Sequence, residues 1–358
     1  MKILYVTRHF NHSGYLILKK LTEEKIDVSA VLLHRNNNLL RIGFIRKIYK
    51  LFYNLICIYY RSKKVKTFHS EERLAKKNKI PIIWTDSIKN DYFYKSLVNL
   101  NPDIIVLGGG WHELLPQRVF SFPKLGCINT HPSLLPEFRG TSITRWQVLH
   151  NIKKSGSTIH YVDENFDTGG VLAQKEFYLK RDYTPQELFF ELGKVGAEIM
   201  VDLLKKFLSE GKQKPYFIDH NKHYYEYFKK WTWDKEALKI NWAKSFNEIN
   251  SFVWSNYQEN FKYAGPVFTF DKKKYILRES SIKQLESEEF QTLDRLQQGK
   301  IYALIKEENL ILYRRNEKIA LVIKQVQQFD RFYKYRRANN PIHLIVKNKT
   351  NFIETQLI

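Results

Sequence analysis

Gly126-Cys127-Ile128-Asn129-Thr130-His131-Pro132-Ser133-Leu134-Leu135-Pro136-Glu137-Phe138-Arg139-Gly140 opens the stretch that decides the fold. Ser157-Thr158-Ile159-His160-Tyr161-Val162-Asp163-Glu164-Asn165-Phe166-Asp167-Thr168-Gly169-Gly170 closes it. Each half is a short apolar run, as a buried strand requires, followed by a polar loop rich in Pro or Gly. Asn129 and His131 stand two residues apart at the end of the first run, so on an extended chain their side chains share a face. Asp167 stands in the loop after the second run. An amide can donate to a developing oxyanion, an imidazole moves protons near neutral pH, and a carboxylate beside it orients the ring and raises its basicity. Taken one by one, the same residues also fit a capping Asn, a structural His and a turn Asp. No Ser or Cys stands where a nucleophile would, because Cys127 precedes the strand end. That leaves direct transfer between two bound substrates, or attack by water. His160 reads as a strand residue with a structural role.

Outward from this stretch, the chain reads as an α/β protein. Residues 2–7, 27–33, 80–84 and 104–107 are short apolar strands, and helical patterns at 15–21, 69–79 and 87–100 separate them. Strands alternating with helices predict a Rossmann-like, mostly parallel sheet. The first turn lacks G-x-G-x-x-G, so a dinucleotide site has little support. Gly108-Gly109-Gly110 follows a buried strand at its C-terminal end, where open α/β sheets bind ligands. The helix 141–152 and strands at 157–162 and 171–178 come next. Thr184-Pro185-Gln186-Glu187 is a capping box with Pro at the first helical position, starting a helix that runs to about Ser209. These elements make a catalytic domain over 1–210 and leave 211–235 as a linker.

A small β-rich, OB-like domain is expected over 236–330. It opens with a helix capped by residues 241–245 and continues with short strands at 267–270, 275–278, 301–305, 310–313 and 320–325. A basic tail, 331–358, carries Lys334, Arg336 and Arg337.

The chain has 358 residues and a formal net charge of +22, which draws it to polyanions: nucleic acid, anionic lipid, or phosphorylated and carboxylated small molecules. Cys57 and Cys127 are its two cysteines, too few for a disulfide framework, and they point to a reducing, cytoplasmic setting. The N-terminus is too short and polar for a signal peptide, and no uncharged run reaches the ~18–20 residues of a spanning helix. Within 39–66 every charge is positive, and Leu40, Phe44, Ile48, Leu51, Leu55 and Ile58 recur at helical spacing. This insertion reads either as a helix packed on the sheet or as a basic amphipathic surface for peripheral membrane, partner or nucleic-acid contact.

The spacing of the opening stretch carries more than its single residues do. Asn129-x-His131-Pro132-Ser133-Leu134-Leu135-Pro136-x-Phe138-Arg139-Gly140, Asp167-Thr168-Gly169 downstream and Leu114-Leu115-Pro116 upstream together resemble the folate-dependent formyltransferase family. That family includes methionyl-tRNA, glycinamide ribonucleotide and sugar-nucleotide formyltransferases. Lys239-Ile240-Asn241-Trp242-x-Lys244-Ser245, Glu248-Ile249 and Gly265-Pro266-x-Phe268-Thr269-Phe270 resemble the start of its C-terminal domain.

The resemblance implies formyl transfer from the co-substrate N10-formyltetrahydrofolate to a primary amine, with no metal. Asn129 and protonated His131 would stabilise the tetrahedral oxyanion, and Asp167 would orient His131 and help move a proton. The folate would lie against Gly110, Trp111, His112, Glu113, Leu114 and Leu115 and against Asp163 and Asn165. The family's tRNA-directed members carry a basic glycine-rich loop where this chain has 39–66. They carry Arg-Gly-Ala-Ala-Pro where it has Arg139-Gly140-Thr141-Ser142-Ile143. A nucleotide-linked amino sugar is therefore the leading acceptor, with Arg139 and Arg145 as contacts. Methionyl-tRNA is the alternative that the charge favours. A non-catalytic, basic nucleic-acid-binding module is the competing reading from another class.

Overall fold

The computed structural model describes the chain except for residues 9–10, 35–69, 112, 181, 217–226, 232–236, 258–264, 271–272, 288, 290, 292–297, 299, 307–308, 316, 329–352 and 356–358. The basic segment 39–66, Cys57, His112 and nearly all of the tail lie outside the described residues. The chain divides into two compact units. The first comprises Met1–Ile143, Lys153–Lys180 and Leu188–Lys230; the second comprises Thr144–Ile152, Arg181–Glu187 and Trp231–Ile358.

The first unit holds strands β1 (Ile3–Arg8), β2 (Val28–His34), β3 (Ile82–Thr85), β4 (Ile104–Leu107) and β5 (Cys127–His131). The two-residue β6 (Arg139–Gly140), β7 (Lys154–Tyr161), β8 (Val171–Tyr178) and the two-residue β9 (Tyr227–Phe228) follow. Helices α1 (His12–Glu23), α2 (Glu71–Lys77), α3 (Asp91–Leu100) and α4 (Gln117–Phe120) lie between the early strands. After Ile143, α5 (Ile143–Leu149) falls in the second unit, and α6 (Pro185–Glu210) belongs to the first from Leu188 onward. The main sheet runs β3-β2-β1-β4-β5-β7-β8. Its first five strands are parallel, and β7 and β8 add on antiparallel.

Both faces of this sheet are covered, which explains why its central strands read as continuous apolar runs. Ile3 and Tyr5 of β1 pack with Ile17, Leu18 and Leu21 of α1 and with Met200 and Leu204 of α6. Leu4 and Val6, one residue out of phase, pack on the other face with Phe93 and Leu97 of α3. The capping box before α6 is formed: Glu187 N–H donates to Thr184 Oγ1 (3.2 Å), and Thr184 N–H donates to the Glu187 carboxylate (2.9 Å). Strand order reverses at β1, whose neighbours are β2 and β4. The crevice beyond the C-terminal ends of β4 and β5 is the ligand-binding edge of such a sheet.

In the second unit, α7 (Phe246–Ser255) starts after residues 241–245, as expected, and its cap is a full capping box between Ser245 and Glu248. Strands β10 (Val267–Phe270), β11 (Lys273–Gln284), β12 (Ile301–Lys306), β13 (Asn309–Arg314), β14 (Ile319–Gln328) and β15 (Ile353–Thr355) form one antiparallel sheet, ordered β10-β11-β14-β13-β12-β15. Phe246, Ile249 and Val253 of α7 share a core with Phe268, Leu277, Leu312 and Leu321. The expected β-rich domain is present. Strands β11 and β14 run longer than their apolar cores suggest because they pair along nearly their whole length, through a bulge near Glu279. No helix among the described residues is long and apolar enough to cross a membrane.

Candidate active site

Strand β5 sets the site. Its antiparallel register with β7 places Asn129 opposite His160 and His131 opposite Thr158. Directly opposed residues project from the same face, so His160 joins Asn129 and His131 there. Asp167 completes the group from the loop after β7, with φ of +57°, a left-handed conformation that Asp tolerates better than most residues.

Asp167 is the hub. Its Oδ1 lies 3.4 Å from His131 Nδ1, 3.6 Å from His160 Nε2 and 3.5 Å from Asn129 Nδ2. Its Oδ2 accepts the Gly140 backbone N–H at 3.1 Å. His131 Nε2 lies 2.8 Å from the Phe138 carbonyl oxygen, and His160 Nδ1 lies 2.7 Å from that of Tyr161. A carbonyl can only accept, so both of those nitrogens carry protons. His160 Nε2 then accepts from the Asn129 amide at 3.2 Å. Asn129 Oδ1 is buried and receives no hydrogen bond from the described residues.

The electrostatics follow from this wiring. Burial alone pulls the His131 imidazole down, but the Asp167 charge, its hydrogen bond and the Phe138 carbonyl outweigh it and hold His131 above the usual histidine value. Burial likewise pushes Asp167 up. The charge and hydrogen bond of His131 carry it instead far below the usual carboxylate range. With an acceptor at each ring nitrogen, His131 is an imidazolium paired with a carboxylate, and both are almost wholly buried, at 4% and 9% exposure.

Local sequence explains the supporting loops. Ser133 Oγ donates to the Glu137 carbonyl (2.7 Å), Thr158 Oγ1 donates to the Ser133 carbonyl (2.6 Å), and Leu135 N–H donates to Thr158 Oγ1 (3.0 Å). These bonds fasten the Pro132–Pro136 turn to β7. In the second loop Thr168 Oγ1 and Asn165 N–H both donate to the Asp163 carboxylate. Gly169 is required where it stands, because a Cβ there would lie 1.8 Å from the Tyr161 carbonyl oxygen. Gly169→Ala should therefore cost about 3 kcal/mol of stability in urea unfolding, as overpacked sites do. A change under about 0.5 kcal/mol would show that the loop shifts freely.

A cleft opens beside this group. Asn129, His160 and Asp167 line it, with Leu107, Trp111, Glu113, Leu114, Leu115, Val162, Asp163, Asn165 and Phe166. Six of the expected folate contacts (Trp111, Glu113, Leu114, Leu115, Asp163 and Asn165) thus face one cleft. Leu114 is 38% exposed at its mouth. Glu113 is also anchored from behind, accepting Ile88 N–H at 3.1 Å and Ser87 Oγ–H at 3.2 Å. His131 sits behind Asp167 rather than in the lining. Gly110 is also outside it, packed on Asn11, whose side-chain amide donates to the Gly109 carbonyl at 2.6 Å.

The two arginines part company. Arg139, on β6, lies over the Tyr227 ring at 6.0 Å, and its Nε is buried without a partner among the described residues. Arg145 belongs to the second unit and donates to the Ser255 carbonyl at 2.6 Å, with burial bringing its pKa down to about 10.

His160, read as structural from the sequence, belongs to the polar cluster. The signal for it was parity on the strand: Ile159 and Tyr161 pack in the core, so His160 between them points the other way. Gly140 and the Phe138 carbonyl act through backbone atoms and leave no side-chain signature.

Residues 59–204 match the family model described as formyl transferase. Methionyl-tRNA formyltransferase of Bacillus cytotoxicus is 33% identical over 191 residues, 53% of this chain and 59% of that protein. That of Clostridioides difficile is 32% identical over 182 residues, 51% and 57% respectively. The chain thus spans under two thirds of these curated relatives. Among solved structures, an N-formyltransferase from Helicobacter canadensis, in complex with folinic acid and dTDP-3-aminofucose, superposes with a TM-score of 0.58 at 16% identity, covering 92% of this chain and all of that one. HypX from Aquifex aeolicus, in complex with tetrahydrofolic acid, gives 0.53 at 16% identity, covering 92% of this chain and 44% of that one. At such identities these likenesses speak to the fold.

Proposed function

We propose, from the premise that the chain belongs to the formyl transferase family, that this protein moves a formyl group from N10-formyltetrahydrofolate to a primary amine. The observation that carries the reading is the buried His131–Asp167 ion pair beside Asn129, at the end of β5 and next to a cleft. The cleft suits a folate: Trp111, Leu114, Val162 and Phe166 offer apolar surface to a flat ring, and Glu113 and Asp163 flank it. The folate supplies the formyl group.

The remaining chemistry falls to the protein's own side chains. A carbon–nitrogen bond forms to the amine as the bond to N10 breaks. The amine gives up one proton and N10 takes one, leaving a formamide and tetrahydrofolate. His131 supplies a fixed positive charge in a low-dielectric site, which favours negative charge developing on the formyl oxygen. Asn129 Nδ2 donates to the same oxygen once it leaves His160, and its buried Oδ1 suits an N–H of the attacking amine. A carboxylate held as low as Asp167 is a poor proton acceptor. Its part is to keep His131 charged and to orient, through water, the proton leaving the amine.

A nucleotide-linked amino sugar is the leading acceptor. Arg139-Gly140-Thr141-Ser142-Ile143 departs from the run of the tRNA-directed enzymes, and the sugar-directed likeness extends over both units. Methionyl-tRNA is the second reading, favoured by the identity of the curated relatives and by the +22 charge. Tetrahydrofolate release by the purified protein with a panel of amino-sugar nucleotides, with initiator methionyl-tRNA and with no acceptor separates them. Turnover with a nucleotide sugar is expected. Turnover with methionyl-tRNA alone would replace the acceptor, and no turnover with any would favour a non-catalytic basic module.

A further inference from the structure

We infer that the two-residue strand Tyr227–Phe228 is a positioning element for the His131–Asp167 pair. It clasps the segment whose backbone holds both partners.

The two outer hydrogen bonds of the pair come from one short segment. The Phe138 carbonyl accepts from His131 Nε2 at 2.8 Å, and the Gly140 N–H donates to Asp167 Oδ2 at 3.1 Å. The segment is irregular: φ is +52° at Phe138 and +118° at Gly140. At Phe138, which is not a glycine, such a conformation persists only where the surroundings impose it.

The imposing partner is β9. It pairs in parallel with β6, Arg139 beside Tyr227 and Gly140 beside Phe228. The Phe228 carbonyl accepts Thr141 N–H at 2.9 Å. The Phe228 ring stacks on Phe138, with centroids 5.1 Å apart and planes 15° from parallel. Tyr227 carries the Arg139 guanidinium over its face at 6.0 Å. At Gly140 the contact is so close that a Cβ would lie 2.2 Å from the Phe228 oxygen. Each residue from Phe138 to Thr141 is therefore held by Tyr227 or Phe228. Both lie beyond the family match at 59–204, in a stretch that reads from sequence as a linker.

If β9 sets the carbonyl and the N–H, releasing it loosens His131 without touching its side chain. Among the described residues, Asp167 and, beyond it, His160 are the titratable groups beside His131, Tyr227 feels the charges of Asp167 and Arg139, and none of these side chains is altered by changing Phe228. The test is an NMR titration of the His131 imidazole in the folded protein without substrate, assigned against His131→Asn. It compares wild type, Phe228→Ala and the stack-preserving Phe228→Tyr.

The expected result is a His131 midpoint lower by about half a pH unit or more in Phe228→Ala and restored in Phe228→Tyr. Phe228→Leu, which keeps apolar bulk without the stacked ring, is read the same way should the alanine variant not fold. The kinetic arm rests on the formyl-transfer reading: kcat should fall about tenfold in Phe228→Ala with KM for the folate unchanged. A folded variant lacking the stack whose His131 midpoint matches wild type overturns the inference, whatever its activity. A shifted midpoint in a protein that transfers no formyl group upholds the positioning and refutes the reaction.

Discussion

Replacing His131 with alanine is expected to lower kcat for formyl transfer by about 10³-fold while leaving the chain folded. One well-placed charge at a developing oxyanion contributes a factor of order 10²–10³. The fold should survive because Asp167 keeps two donors, the Gly140 N–H and the Asn129 amide. Removing one member of a buried ion pair still costs about 3 kcal/mol, so the melting temperature should fall. The pH dependence follows from the directions of the two shifts. The folded-state pKa of His131 is raised, so its contribution to stability is full below about pH 6.5 and is lost as pH rises through the folded value. That of Asp167 is depressed, so its contribution is full above about pH 3.9 and is lost as pH falls through the folded value. In wild type the activity should therefore decline on the alkaline side at a pH above ~6.5. Tetrahydrofolate release measured across pH, with circular dichroism on the variant, checks both parts. Near-normal turnover in a folded His131→Ala protein would remove His131 from the mechanism.

Legibility from sequence followed the range of the forces involved. β1 and β4 were readable because a strand covered on both faces must be apolar, and four such residues in a row before a turn signal suffice to mark it. The α6 start was readable because its cap is local, formed within Thr184 to Glu187. Asn129, His131 and Asp167 could be picked out as a group because two share a strand face and the third follows a neighbouring strand. What escaped depended on pairing that sequence does not encode locally. His160 reaches the cluster only because β7 runs antiparallel to β5 in one register. β9 is two residues long, too short for any periodicity, and its partner lies nearly ninety residues upstream. Trp111, Leu114 and Leu115 could be placed near a ligand, but not the tie from Glu113 back to Ser87 and Ile88.

Asp167→Asn should be nearly as damaging as the loss of His131, by a different route. Asparagine has the same shape, tolerates the φ of +57° and can still accept the Gly140 N–H, so the loop should keep its conformation. What goes is the charge. Burial, which on its own lowers His131, is then opposed only by the Phe138 carbonyl, and the imidazole becomes neutral at physiological pH. A loss of about 10²–10³ in kcat is expected near pH 7.5, with part of it recovered as the pH is lowered and His131 reprotonates. That acid rescue distinguishes a charge-holding Asp167 from one that takes the amine's proton itself, since lowering the pH cannot restore a missing base. The double variant His131→Ala/Asp167→Asn sharpens the point. If the two residues act as one unit, removing both should cost little more than removing either, because groups that work together are not additive. Costs that multiply instead, to about 10⁵–10⁶, would mean that the carboxylate and the imidazole act on the substrates separately.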